Sequence, residues 1–215
     1  KAKILFVAII LALAIPAGVI FVKRIIFPSF HDKVELERIT DVPILAEIPE
    51  CDKENFLVVK DNKNNATTEL FRLLRNNLQF VFATPDKKVV MVTSSVSGEG
   101  KTFISSNLAI TFAHTGKKVL LIGLDIRRPK AAHIFGLNNR KGITNYLSGQ
   151  ETDYNNIIHH TEVKGLDIIP GGPVPPNPNE LLLNTALDEL IAEMRNRYDY
   201  IIIDSAPVGL VSDSF

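Results

Sequence analysis

The sequence predicts an α/β protein in which a doubly wound, mostly parallel sheet follows one transmembrane helix. Three observations support this prediction: an uncharged run near the start, short apolar runs that alternate with helical stretches, and a glycine-containing loop between one such run and a helix. They divide the chain into a membrane segment with its flanks (1–24), a juxtamembrane connection (25–66) and an α/β domain (67–215).

Composition narrows the function classes before any motif is considered. The 215 residues carry 24 basic and 24 acidic side chains, so the strong basic field that serves nucleic-acid binding is absent and no nucleic-acid partner is expected. An apolar content of 46% excludes general disorder. Cys51 is the single cysteine, which excludes a disulfide framework and a cysteine-based zinc site.

The run from Ile4 to Val22 predicts the transmembrane helix. As a helix it is roughly 28 Å long, close to the thickness of a bilayer's hydrocarbon core. Basic residues flank it on both sides and leave its orientation open. A signal peptide, with a cleavage-like site at Ala12–Ala14, and a buried core helix are the alternatives. The apolar run continues past that cleavage-like site to Val22, which favours a membrane helix.

The remaining elements follow from apolar spacing. The juxtamembrane connection is predicted to hold a short helix at Val34–Ile39 and an extended stretch at Val42–Leu45, and Thr67 and Thr68 can cap a further helix. Strands buried on both faces read as nearly continuous apolar runs. Such runs predict strands at Lys88–Thr93, Lys118–Leu124, Leu166–Ile169 and Tyr200–Asp204, with helices at Lys101–His114 and Glu180–Arg197 between them.

The loop after the first strand carries a phosphate-binding pattern. Gly98 and Gly100 let the backbone curl so that N–H groups converge on phosphate oxygens, while Lys101 can bridge the β- and γ-phosphates and Thr102 can ligate Mg²⁺. Ser95 stands where the usual first glycine would be, and a plain glycine-rich turn is the alternative. The predicted nucleotide-binding residues are Ser97, Gly98, Glu99, Gly100, Lys101 and Thr102.

Two carboxylates end predicted strands beside this loop. Asp125 and Asp204 follow apolar runs at the edge where α/β folds place ligands. Phosphoryl transfer needs carboxylates that hold Mg²⁺, so Thr102, Asp125 and Asp204 form the predicted metal set. Aspartates that merely form turns are the alternative.

Together these stretches resemble the bacterial tyrosine kinases of the capsular and exopolysaccharide family, which are phosphate-loop proteins related to the MinD and ParA ATPases. The resemblance runs from about Leu36 to the end and includes Asp41–Pro49 and Glu69–Arg75. It implies ATP and Mg²⁺ as cofactors, with Lys101, Asp125, Asp204 and Arg127 as catalytic residues. Arg127 would stabilise charge near the γ-phosphate.

The resemblance also implies partners and a location. Glu69, Arg72 and Arg75 match a family helix that contacts a neighbouring subunit, so a homo-oligomer, as a ring, is expected; a solvated face with local ion pairs is the alternative. The other expected partners are membrane lipid, the polysaccharide export and polymerisation machinery and a cognate tyrosine phosphatase. The expected location is the inner membrane, with the kinase domain in the cytoplasm.

The sequence departs from the family at two places. Gly123 replaces the first of two aspartates that the family carries after its second strand, which puts the efficiency of transfer in question. Phe215 ends the chain before the family's further strands and tyrosine-rich tail, so the chain is expected to be a fragment at both ends.

The resulting functional prediction is a membrane-anchored, ATP-dependent protein-tyrosine autokinase that regulates exopolysaccharide synthesis and export. A MinD/ParA-like ATPase switch and a non-enzymatic, nucleotide-binding polysaccharide copolymerase are the alternatives.

Overall fold

The computed structural model describes residues 33–51, 56–61, 65–81 and 88–209, together with positions 3, 6, 12, 14–18, 21 and 22. Most of the predicted transmembrane helix lies outside these residues, as does the stretch 210–215. Over the described positions, no helix is both long enough and apolar enough to span a bilayer. The chain forms two units, residues 1–44 and 45–215.

The first unit contains a short helix where one was predicted. Helix α1 spans Lys33–Glu37, and the ammonium of Lys33 lies 3.5 Å from the carboxylate of Glu37, one turn later. The carbonyl of Leu36 accepts hydrogen bonds from the amides of Ile39 and Thr40, which ends the helix. The predicted short helix is therefore confirmed, although it begins one residue earlier and ends two residues earlier.

The second unit is the α/β domain. Its helices are α2 (Ala66–Val81), α3 (Lys101–Ala113), α4 (Ala131–Ile134), α5 (Ile143–Leu147), α6 (Pro178–Leu182) and α7 (Thr185–Arg197), with a 3₁₀ turn at Tyr154–Ile157. Its strands are β1 (Val89–Val92), β2 (Val119–Gly123), β3 (His159–His160), β4 (Leu166–Ile169) and β5 (Tyr200–Asp204). All four predicted strands are confirmed.

The strands form one sheet in the order β1-β5-β2-β4-β3. The first four are mutually parallel, and β3 pairs antiparallel with β4 at the edge. This confirms the mostly parallel sheet. The two-residue strand β3 was not predicted, because His159 and His160 are too short and too polar a pair to give an apolar pattern.

Strand β2 shows why the sheet is doubly wound. All five of its residues are buried. Val119 and Leu121 pack with residues of α2 and α3 on one face, whereas Leu120 and Ile122 pack with residues of α5 and α7 on the other. Because successive side chains of a strand point to opposite faces, a strand that is apolar at every position needs helices on both sides.

Helix α3 is the part of the core that supports the phosphate loop. Ten of its thirteen residues are buried, since it lies between the sheet and α2. Asn107, inside this helix, donates to the carbonyl of Phe56 at 2.9 Å and accepts from the amide of Val59 at 3.3 Å. These two bonds attach the 56–59 segment to α3.

Two predicted helix boundaries were wrong, for the same physical reason. Helix α2 is capped by Asn65, whose side chain accepts from the amide of Thr68 at 2.8 Å, and not by Thr67 or Thr68. The stretch predicted as one helix from Glu180 is two helices, because Asn184 caps α7 by accepting from the amide of Ala186 at 3.0 Å. Asparagine is a strong N-cap residue, and at both places it begins a new helix.

Candidate active site

The strand order brings the predicted site residues to one edge. Strand β5 lies between β1 and β2, and Asp204 is in register with Val92 on one side and Gly123 on the other. All three strands are parallel, so their carboxyl ends meet. The phosphate loop follows β1, Asp204 ends β5, and Asp125 lies two residues beyond the end of β2.

The phosphate loop has the backbone that its glycines predict. Gly98 and Gly100 have φ angles of 99° and 92°, in the left-handed region that favours glycine. The carboxylate of Glu99 accepts from the amide of Ser95 at 2.7 Å and from that of Val96 at 3.3 Å. The side chain of Glu99 therefore stabilises the loop internally, a role that the sequence did not indicate.

Lys101 and Asp125 form the central contact of the site. The Lys101 Nζ lies 2.6 Å from the Asp125 Oδ2, and only 11% and 10% of the two side chains are exposed. The other oxygen of Asp125 accepts from the backbone amide of Arg128 at 3.1 Å. Asp125 is thus held from two sides, with the cation of the phosphate loop as its main partner.

Asp204 has different surroundings. The residue is 2% exposed, and its Oδ1 has no hydrogen-bond partner among the described residues. Burial raises the pKa of this carboxyl to about 6, although the neighbouring Thr102 hydroxyl and Lys101 ammonium act in the opposite direction. A buried carboxylate oxygen that lacks a partner, close to the Thr102 hydroxyl, is the donor chemistry that Mg²⁺ prefers. Thr102 and Asp204 therefore fit the ion, while the place of Asp125 in the metal set stays a prediction.

Gly123 marks the place where the expected first aspartate is missing. A Cβ atom added here would lie 3.3 Å from the amide nitrogen of Gly171 and 3.7 Å from the Cβ of Ala131. Its φ lies outside the left-handed region, so the backbone does not demand glycine. An added Cβ at this position therefore needs the backbone at Gly171 to move by a few tenths of an ångström.

Arg127 lies at the same edge of the sheet, two residues after Asp125. Its guanidinium donates a hydrogen bond to the side chain of Asn179, in α6. The sequence did not indicate Asn179 as a partner, because the two residues are far apart in the chain. A role for Arg127 near the γ-phosphate stays a prediction.

The predicted interface residues lie on α2. Glu69 and Arg72 form an ion pair one turn apart. Arg75 donates to the carbonyl of Thr111 in α3 at 3.3 Å, and burial lowers the pKa of its guanidinium. Arg75 therefore helps to join two helices within one protomer, while contact with a neighbouring subunit stays a prediction.

A family model and several relatives among known proteins match this chain. Residues 87–212 match the family described as an AAA domain. The tyrosine-protein kinase CpsD of Streptococcus agalactiae is 42% identical over 149 residues, which are 69% of this chain and 64% of CpsD. The tyrosine-protein kinase etk of Escherichia coli (strain K12) is 37% identical over 159 residues, which are 74% of this chain and 22% of that protein.

A solved structure supports the same assignment. The kinase domain of the Escherichia coli tyrosine kinase ETK is similar with a TM-score of 0.80 and 31% identity, over 85% of this chain and 75% of the solved chain. This chain spans less than two thirds of CpsD and less than a quarter of etk. With the phosphate loop and both strand-end aspartates in place, the chain belongs to the bacterial tyrosine-protein kinase family of phosphate-loop proteins.

Proposed function

We propose that this protein is a membrane-anchored, ATP-dependent protein-tyrosine autokinase that regulates the synthesis and export of an exopolysaccharide or capsule. The observation that carries the proposal is the 2.6 Å contact between Lys101 and Asp125, beside the buried Asp204. Phosphoryl transfer requires a cation and carboxylates close together in a buried site, and Lys101, Asp125 and Asp204 provide this arrangement.

Each predicted residue has a role in this reaction. The backbone of Ser97–Thr102 would bind the phosphates of ATP, and Lys101 would exchange part of its contact with Asp125 for the β- and γ-phosphates. Thr102, Asp125 and Asp204 would hold Mg²⁺, which neutralises charge on the phosphates.

In the transfer itself, the oxygen of an acceptor tyrosine forms a bond to the γ-phosphorus. The bond from that phosphorus to the β–γ bridging oxygen breaks, ADP leaves, and the proton of the tyrosine hydroxyl passes to water. Arg127 would stabilise charge on the transferred group. The acceptor tyrosines would belong to a neighbouring protomer.

The proposal also covers the partners and the location of the enzyme. Self-association through Glu69, Arg72 and Arg75 would bring one protomer's tyrosines to the next protomer's site. Membrane lipid, the polysaccharide machinery and a tyrosine phosphatase would be the further partners, at the inner membrane with the kinase domain in the cytoplasm. The names of CpsD and etk as tyrosine-protein kinases support the activity part of this proposal.

The test is phosphotyrosine formation by the full-length protein incubated with Mg²⁺ and ATP. Phosphotyrosine should accumulate with the parent protein, and Lys101→Met should be inert. Steady release of phosphate without phosphotyrosine would indicate a MinD/ParA-like ATPase instead. ATP binding with neither product would indicate a nucleotide-controlled copolymerase, an alternative that the missing carboxylate at Gly123 leaves open.

A further inference from the structure

A group of exposed cations lies on the same edge of the sheet as the candidate active site. Arg128, Lys130 and Arg140, here called the cationic rim, are all exposed. Within the described part of the chain, none of their side chains forms an ion pair, since Arg128 and Arg140 bond only through backbone amides, to Asp125 and Asn138. Their positive charges are therefore available to an external partner.

The loops that carry the cationic rim are closely packed. Asn139, next to Arg140, donates to the carbonyl of Gly172 at 2.5 Å and accepts from its amide at 2.9 Å. A Cβ added to Gly171 would come within 2.7 Å of Pro129, which lies between the other two rim residues. Both loops that carry the rim are thus held against the segment that follows β4, so the backbone positions of the rim residues are fixed.

The spacing of the strands gives the distance from Lys130 and Arg140, whose loops are held at the end of β4, to Asp204. Strand β4 is two positions from β5 in the sheet, and neighbouring strands lie about 4.8 Å apart. The carboxyl end of β4 is therefore about 10 Å from that of β5, where Asp204 lies. An extended polypeptide covers this distance in about three residues.

We propose that the cationic rim binds an acidic segment of polypeptide, and that this segment flanks the acceptor tyrosine. The second part of this statement rests on the proposed function. The phosphates of ATP, Asp125 and Asp204 together repel an acidic chain from the centre of the site, so attraction about three residues away is needed to hold it. A neutral acceptor gains nothing from the rim.

The first test measures binding, independently of catalysis. Fluorescently labelled peptides with a central tyrosine carry either glutamates or glutamines three and four residues away, and are titrated with the full-length protein by anisotropy. The glutamate peptide should bind more tightly, and Lys130→Gln/Arg140→Gln should weaken it by about three- to tenfold, as expected for two exposed charge contacts. Binding of the glutamine peptide should not change.

A matched control uses two lysines at the opposite end of the sheet. Lys118 and Lys164 are likewise exposed and precede β2 and β4. Lys118→Gln/Lys164→Gln removes the same net charge and should leave binding of the glutamate peptide unchanged. Equal loss in both double variants would reduce the effect to net charge and overturn the proposal. Equal binding of the two peptides would do the same, as would binding of an acidic oligosaccharide in place of the glutamate peptide.

The second test separates this proposal from the proposed function. With Mg²⁺ and ATP, the glutamate peptide should be phosphorylated with a lower KM than the glutamine peptide, and Lys130→Gln/Arg140→Gln should raise that KM with kcat unchanged. Rim-dependent binding without any phosphotyrosine would contradict the kinase proposal and leave the acidic docking surface intact. Phosphorylation of both peptides with equal KM would support the kinase and overturn the role of the rim.

Discussion

Asp125 and Asp204 are alike in sequence and different in structure. Asp204 is the last residue of β5, Asp125 lies two residues after β2, and both lie at the same edge of the sheet. Asp125 has a buried lysine as its partner at 2.6 Å. Asp204 is buried with one oxygen that has no partner in the described structure, and the pKa of its carboxyl is raised to about 6. One aspartate is thus stabilised by its surroundings, while the other is destabilised by them.

The unpaired oxygen of Asp204 is typical of a site that binds a cation. A buried carboxylate with one oxygen that lacks a hydrogen-bond partner costs free energy of folding, and proteins retain such groups mainly at functional sites. Asp204 lies next to the phosphate loop, and a cation bound there would offset the free-energy cost of burying its carboxylate. Asp125 meanwhile keeps the ammonium of Lys101 in the site. The four predictions below test this difference, from the largest expected effect to the smallest.

Replacing Asp125 should have the largest effect. Asp125→Ala removes the 2.6 Å partner of the buried Lys101 ammonium, which should lower the free energy of unfolding by about 3 kcal/mol and abolish phosphotyrosine formation. Urea denaturation and an ATP-dependent phosphotyrosine assay measure the two losses. In the double variant with Lys101→Met, much of the lost stability should return without activity. If the single variant is as stable as the parent protein, the ion pair contributes nothing.

Replacing Asp204 should change stability in the opposite direction. Asp204→Asn removes the buried charge at similar size and should raise the free energy of unfolding at pH 8 by up to about 3 kcal/mol, the equivalent of about two pKa units, while phosphotyrosine formation falls. Thermal unfolding at pH 8 measures the gain. A lower melting temperature for Asp204→Asn would mean that the carboxylate is well paired, and the contrast with Asp125 would be lost.

The same contrast predicts a pH dependence. The carboxyl of Asp204 titrates near pH 6 when folded and has an ordinary value of 3.8, so the folded state binds more protons between these values. Its contribution therefore lowers stability as pH rises from about 4 to 6 and is constant above that. The stability gap between Asp204→Asn and the parent protein, measured with urea from pH 4 to 8, should widen over this range. A gap that does not depend on pH would contradict the raised pKa.

Restoring the family's other aspartate should have the smallest effect on stability. Gly123→Asp places its Cβ 3.3 Å from the Gly171 nitrogen, at a cost of about 1 kcal/mol, and adds a carboxylate in register with Asp204 and two residues before Asp125. The initial rate of phosphotyrosine formation should rise by about a hundredfold if catalysis lacks a proton-accepting carboxylate here. Gly123→Asn is the control of equal size. An equal rise in both variants, or in neither, would show that the missing charge does not limit transfer.

The sequence alone determined the parts of this protein that depend on local patterns. Continuous apolar runs predicted all four main strands, and the glycine positions predicted the left-handed turns of the phosphate loop. The position of an aspartate at the end of two predicted strands predicted that both carboxylates lie at the site, because parallel strands bring their carboxyl ends to one edge. Each of these features follows from neighbours in the chain.

Only the tertiary structure decided the features that depend on residues distant in the chain. The pairing of Lys101 with Asp125, the burial that raises the pKa of Asp204 and the contact of Arg127 with Asn179 all join separate elements. The break at Asn184 belongs here too, since its amide also donates to the carbonyl of Leu147 in α5, at 3.1 Å. Ion pairing, burial and the ends of helices depend on which distant residues pack against them. The local sequence pattern does not contain that information.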